Sequence, residues 1–361
     1  MIWAPATGRI GSSRRGVWGI PHLIGVVRPT ARRPTRWHRI GHDAAPHHEQ
    51  IQVAIMASSL HPAGAPRLLD ESARPSALRV CNRLTPIALA LRLSRALLVV
   101  SGIAGLVSVV SPTIFRDPPS YAGNALGTHV VILLVALPTL AFAMQTAARG
   151  SLRAHFVWLG TLCYLLYAAV LASFSVRFNE LFLLYVASLS LAVASLVALL
   201  RCLPADELPA RLSTRLPVRA IGGYLVAIGV AFAGLWLADV VPALTSGDVP
   251  RSLQGTSLPT NTVQVLDFGF TLPLSIAAGL WLMRRRPWGI LLSGMLLVFL
   301  TLESISVAVD QWFGHHADSL QPLGAVATFL VLAVVSAVPM SLFLRAVDAP
   351  DVRAMRGSRR R

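Results

Sequence analysis

The chain has 361 residues, of which 54% are apolar and 13% charged, with a mean hydropathy of +0.62; a soluble domain would carry roughly a quarter charged residues, so an ordinary soluble fold is excluded. The net charge of +16 would suit nucleic acid, but its distribution argues against that partner: residues 1–95 hold 14 Arg against 4 acids, residues 345–361 hold 6 against 2, and the rest of the chain holds 12 against 10. Basic tails flanking apolar blocks of bilayer-crossing length point instead to anionic lipid headgroups as what the tails touch.

In chain order, residues 1–85 are rich in Arg, Pro and His without sustained periodicity and read as a disordered cytoplasmic region. Met56 opens a more ordinary N-terminal stretch, so residues 1–55 are expected to lie outside the mature protein. Residues 86–95 read as a short interfacial helix with Arg92 and Arg95 at its end. Eight spans are then predicted: Ala96–Phe115, Thr128–Ala147, Phe156–Phe174, Leu181–Leu200, Ala220–Val240, Val263–Met283, Trp288–Val309 and Leu323–Leu344. The fold class is therefore all-α, a polytopic integral membrane helical bundle over 86–345, closed by an Arg-rich tail at 346–361.

Arginine sets the expected orientation. With the N-terminus cytoplasmic, the inner loops hold nine Arg (149, 153, 201, 211, 215, 219 and 284–286) and the outer loops three (116, 177 and 251). Both termini then face the cytoplasm, and the expected location is the cell membrane. Of the three cysteines, Cys81 and Cys202 fall on the cytoplasmic side and Cys163 within a span; none has CxxC spacing, so neither a disulfide framework nor a thiolate metal site is expected.

The two halves carry parallel landmarks. Leu137-Pro138 lies in the second span with Arg149 eleven residues after the proline, and Leu272-Pro273 lies in the sixth with Arg284 at the same offset. Trp158 and Trp288 sit near the inner ends of the third and seventh spans. Two four-span units, 95–200 and 219–344, would be parallel repeats, since an even number of spans returns the chain to the same side. The prolines each remove a backbone hydrogen bond and should kink their helices.

Polar side chains inside spans cost free energy and need a reason. Glu303 lies six residues inside the outer end of the seventh span, about 9 Å deep at 1.5 Å per residue. A charged carboxylate there costs roughly 2.5–3.5 kcal/mol on insertion scales, so it should face the bundle interior. Glu303, Ser306 and Asp310 share a helix face by their spacing. Asp267 occupies nearly the same depth on the sixth span, joined to the seventh by a short loop, so the two carboxylates should be able to meet. His129 opens the second span and completes the candidate polar set, all of it toward the outer side. Asp239, Asp310 and Glu180 stand at predicted span ends, where solvation or capping accounts for them. His315, His316 and Asp318 in the last outer loop offer metal-ligand chemistry but lack the i, i+4 spacing of a helical zinc site.

No hydrolase, metalloprotease, nucleotide or dinucleotide motif is present, so no cofactor is expected and an enzyme is disfavoured. The reading that best fits eight spans, mid-span prolines and a buried carboxylate is a transporter or permease for a small molecule or ion. The alternatives are a membrane-embedded enzyme acting on a lipid-type substrate at the outer face and a non-catalytic scaffold or sensor. No acidic or basic residue lies in the inner half of any span, which counts against proton-coupled transport.

Overall fold

A computed structural model describes residues 76–256, 258–319 and 323–347. The expectations for residues 1–55 and for the tail beyond 347 lie outside the described residues. Eight helices are long and apolar enough to cross a membrane: α1 Ser76–Val110, α2 Pro119–Ala148, α3 Leu152–Phe174, α4 Phe182–Leu200, α5 Val218–Ser246, α6 Thr262–Met283, α7 Pro287–Ala317 and α8 Gly324–Ala346. The architecture is an all-α bundle and fits a multi-pass membrane protein.

Four expectations are corrected by element ends. The second span begins at Pro119 and not at Thr128, so His129 lies well inside α2 and does not open it. The interfacial helix at 86–95 is not separate: α1 runs unbroken from Ser76, so residues 76–85 are helical too. No proline stands between residues 87 and 111 to end it. It stops at Val110, because proline disfavours helix in the residue before it, and Ser111-Pro112 opens a 3-10 turn instead. The first span is thus shifted toward the N-terminus of its predicted place. Helix α7 continues about two turns past Val309 to Ala317, so His315 and His316 belong to a helix and Asp310 is not at a span end. Helix α5 continues to Ser246, which shortens the expected outer loop and leaves Asp239 inside a helix.

Helix α7 is the axis of the bundle. Of its most apolar window 78% is buried, against 17% for α5 and 28% for α8. It packs on α2, α3, α6 and α8, while α1 pairs with α4 and α5 with α6. Lipid tails are as apolar as Leu, so close approach and hydroxyls must hold such helices together. The hydroxyls are there. Trp158 Nε1 donates to Ser94 Oγ at 3.0 Å, Ser101 donates to Ser188 at 3.1 Å, Ser275 to the Leu225 carbonyl at 3.0 Å and Ser293 to the Ala278 carbonyl at 3.2 Å.

The mid-span prolines do more than kink. Immediately before each, one turn widens to π geometry, at Ile132–Ala136 and Asp267–Thr271. The Leu137 N–H bonds to the Ile132 carbonyl and the Leu272 N–H to the Asp267 carbonyl, both five residues back. Proline lacks an N–H and its ring collides with the carbonyl four residues earlier, and the wider turn relieves both. The likeness continues to the helix ends, where Arg149 and Arg284 have ψ of 7°. The next residue has positive φ in each case, Gly150 at 92° and Arg285 at 50°. A left-handed arginine is unusual; its guanidinium is anchored on the Thr214 carbonyl at 3.0 Å. The packing around the two hairpins differs, since α2 lies along α7 whereas α6 meets α3 only near its outer turn.

The Arg-rich loops gather at one end of the bundle. Arg153 Nε donates to the Val347 carbonyl at 2.9 Å, and Ser213 N to the Ala346 carbonyl at 2.9 Å. At the opposite end Arg116 pairs with Glu180.

Candidate functional site

A cavity opens between α5, α6, α7 and α8, with Tyr167 of α3 at its back. The gaps between its side chains and its open mouth together amount to about 570 Å³ of empty space. Asp267 and Glu303 both line it. Its α5 wall is a stripe at four-residue spacing, Tyr224, Ile228, Phe232 and Trp236. Twelve residues at 1.5 Å each make that wall about 18 Å long, more than half of a bilayer core of about 30 Å.

The two carboxylates have different surroundings. Asp267 is buried at the first position of the π turn. Its Oδ2 accepts from Trp236 Nε1 at 2.8 Å and its Oδ1 from the Tyr167 hydroxyl at 3.3 Å. Glu303 lies deep in the bundle on α7 and keeps part of its surface open to the cavity it lines. Among the described residues, no hydrogen bond reaches its carboxylate. Among the described residues that line this space there is no Arg, Lys or His.

Ser306 and Asp310 continue the Glu303 stripe but lie beyond the cavity. Ser306 accepts from the Tyr164 hydroxyl at 3.0 Å. Asp310 is buried against α2, with the Thr128 and Ser306 hydroxyls beside it and with Oδ1 lacking a hydrogen-bond partner. The expectation that solvation accounts for Asp310 is therefore overturned. The cause is the extra length of α7 and two glycines of α2: a Cβ on Gly127 would sit 2.7 Å from Asp310 Cα, and one on Gly123 would sit 2.6 Å from the Phe313 carbonyl oxygen. Between them, Asn124 turns its amide nitrogen to the Asp310 carbonyl at 2.7 Å.

His129 does not join the carboxylates. It is buried, and its Nδ1 donates to the Ala125 carbonyl at 2.8 Å. The ring packs between Phe115 and Tyr185. It borders a separate hollow, at the end of the bundle away from the Arg-rich loops, with Asp117, Tyr121, Thr128, Ser252 and Asn261. Burial raises the pKa of Asp117 above the ordinary carboxyl range, against the opposing pull of the Arg177 backbone N–H and guanidinium. Val263 borders both the hollow and the cavity. Asp239 accepts from Gln264 Nε2 at 2.9 Å. His316 Nδ1 donates to the Trp312 carbonyl at 2.8 Å and stacks on that indole, while the His315 ring meets His316 edge-on at 5.7 Å. Among the described residues no group of three or more His, Cys, Asp or Glu side chains is placed to hold a metal.

Sequence reasoning missed Trp236, Tyr224 and Ser336. The i, i+4, i+8, i+12 stripe on α5 was the available signal. It also missed the Gly123-x-x-x-Gly127 pattern, a known mark of close helix approach in membranes.

Fold and site together define the class: a multi-span helical bundle enclosing an acidic, aromatic-walled cavity. The chain matches no known protein family, no curated protein and no solved structure.

Proposed function

We propose that the chain is a transporter of a small molecule, with the cavity between α5 and α8 as its binding site and the Arg-rich end at the cytoplasmic face. The observation that carries this reading is the meeting of Asp267 and Glu303, from adjacent helices, in one cavity. A burial cost of this size is tolerated where ionisable groups do work. Three further features support it. The outer hollow and the cavity share Val263 as a partition, which is the arrangement of a vestibule above a closed site. The π turn and proline of α6 put a bendable point beside Asp267; π turns of this kind recur at functional sites. The matched hairpins of α2–α3 and α6–α7 support two related halves, the plan of many transporters. The inner half of the cavity holds the uncharged Tyr224–Ser336 pair, which suits passage of a ligand better than relay of protons.

Alternating access tests this. On a background without the native cysteines, Thr271→Cys should react with a membrane-impermeant thiol reagent from the outer face, and Ile228→Cys from the Arg-rich face. Labelling of both positions from the outer face alone would replace transport by binding or catalysis at that face. The same approach checks orientation. Cysteines at 251 and 318 should label in intact cells, and those at 215 and 285 only after permeabilisation; labelling at 285 in intact cells would reverse the topology.

A further inference from the structure

Helices α5 and α8 enclose the cavity yet scarcely touch. Their contacts across its mouth include the Tyr224 and Ser336 hydroxyls, 2.5 Å apart, and the Phe232 and Phe329 rings, with centroids 6.3 Å apart. These are also the two least buried spans after neighbours are counted, and Val230 and Val334 point outward at 57% and 68% exposure. In a bilayer those outward faces meet lipid, so the slit between the helices opens toward the acyl chains.

Resting on the transport reading above, we propose that the ligand is an amphiphilic organic monocation, an ammonium or phosphonium centre on an apolar body, and that it reaches the cavity sideways from the membrane between α5 and α8. The sign of the charge follows from two carboxylates and, among the described residues, no basic side chain lining the space. Their partners differ. Asp267 is already held by Trp236 and Tyr167, whereas among the described residues no hydrogen bond reaches Glu303, which leaves one carboxylate for direct contact with a single cationic centre. The organic character follows from the walls. Phe232 meets Trp236 at 6.5 Å, and Tyr167 meets Phe299 at 5.6 Å, so aromatic rings line the same space as Glu303. The faces of such rings attract a cation whose charge is spread over carbon. A hard inorganic ion asks for six or more oxygens at close range, and aromatic walls do not supply them. The apolar length of the α5 stripe then takes the body of the ligand.

The test uses the purified full chain in nanodiscs, with tetraphenylphosphonium in equilibrium dialysis and protein-free nanodiscs as blank. Saturable binding is expected, displaced by alkyltrimethylammonium and not by sodium or calcium. Tetraphenylborate has the same size and the opposite charge, and it should not compete. Glu303→Gln should weaken binding by about tenfold or more, as expected for loss of a charged acceptor. Tyr224→Phe should speed association by loosening the clasp. Competition by tetraphenylborate, displacement by the inorganic ions, or undiminished affinity in a folded Glu303→Gln chain would each sink the cation site. If that variant does not fold, the charge-sign comparison on the wild-type chain decides alone. Unchanged association in Tyr224→Phe would remove the sideways route. Absence of tetraphenylphosphonium binding in a chain whose Thr271→Cys and Ile228→Cys variants label from opposite faces overturns the ligand class and leaves transport standing. Binding without two-sided labelling keeps the cation site and removes transport.

Discussion

Asp267→Ala and Glu303→Ala are expected to move stability in opposite directions. Both remove a carboxylate from a low-dielectric site, and both gain whatever relief that brings. Only Asp267 also serves as acceptor for two buried donors, Trp236 Nε1 and the Tyr167 hydroxyl. Leaving a buried donor unpaired costs about 1–3 kcal/mol in water-soluble proteins. Hydrogen bonds between membrane helices measure closer to 0.6 kcal/mol on average and about 1.7 at most. Taking the upper part of the membrane range for each donor, the two variants should differ by about 2–3 kcal/mol. Asp267→Ala is then the less stable protein, and Glu303→Ala is neutral or stabilised. A stabilised Glu303→Ala would be the usual mark of a residue kept for function at the expense of stability. Denaturant unfolding of both variants in the same bicelles gives the comparison. Equal stabilities would mean that the Trp236 and Tyr167 bonds contribute nothing.

What was legible in advance followed from one dominant force. Apolar blocks of span length must bury in lipid, so span number and most span ends could be read directly. The errors came where a helix outlasted its apolar block. The stretch of α7 after Val309 contains Asp310, Gln311, His315 and His316, and hydropathy ends the span there. The backbone continues because α2 covers Asp310 and Gln311, both buried. At the other end of the chain, the Arg residues before Ala96 suggested a boundary, yet arginine is a good helix former, and α1 passes through them.

The site was half legible for a similar reason. A carboxylate within a span is rare enough to be informative by itself, which singled out Asp267 and Glu303. Trp and Tyr are common at membrane interfaces, so the only signal that Trp236 and Tyr224 carried was their shared four-residue spacing on α5. His129 was grouped with the carboxylates on depth alone. It is two residues from Gly127, which turns it about 200° round the helix at 3.6 residues per turn. Gly127 faces α7, so His129 had to face away. Depth fixes one coordinate of a side chain, and helical phase supplies the other.

The seam between α2 and α7 should be an unforgiving place in the bundle. A side chain at Gly127 would meet Asp310 Cα at 2.7 Å, with Asp310 N and the Val309 carbonyl oxygen each at 3.0 Å. All three are backbone atoms, so no rotamer change can make room and the helices must separate. Overpacking typically costs about 1–3 kcal/mol, occasionally more. Gly127→Val belongs at the top of that range, since separation also strains the Asn124–Asp310 bond and uncovers the Asp310 carboxyl. Gly223→Val is the matched control: a Cβ there meets nothing within 4 Å, and its stability should stay within about 0.5 kcal/mol of wild type. Gly123→Val should resemble Gly127→Val, because its Cβ runs into the Phe313 carbonyl and carbon. The pair should not add. Once one valine has moved α2 away from α7, the second finds the space already open, and neighbouring sites that share a backbone shift couple strongly. The double variant should therefore be clearly more stable than the sum of the single losses implies. Full additivity in bicelle unfolding would show that each glycine acts locally, and that α2 bends around a new side chain instead of moving as a rigid rod.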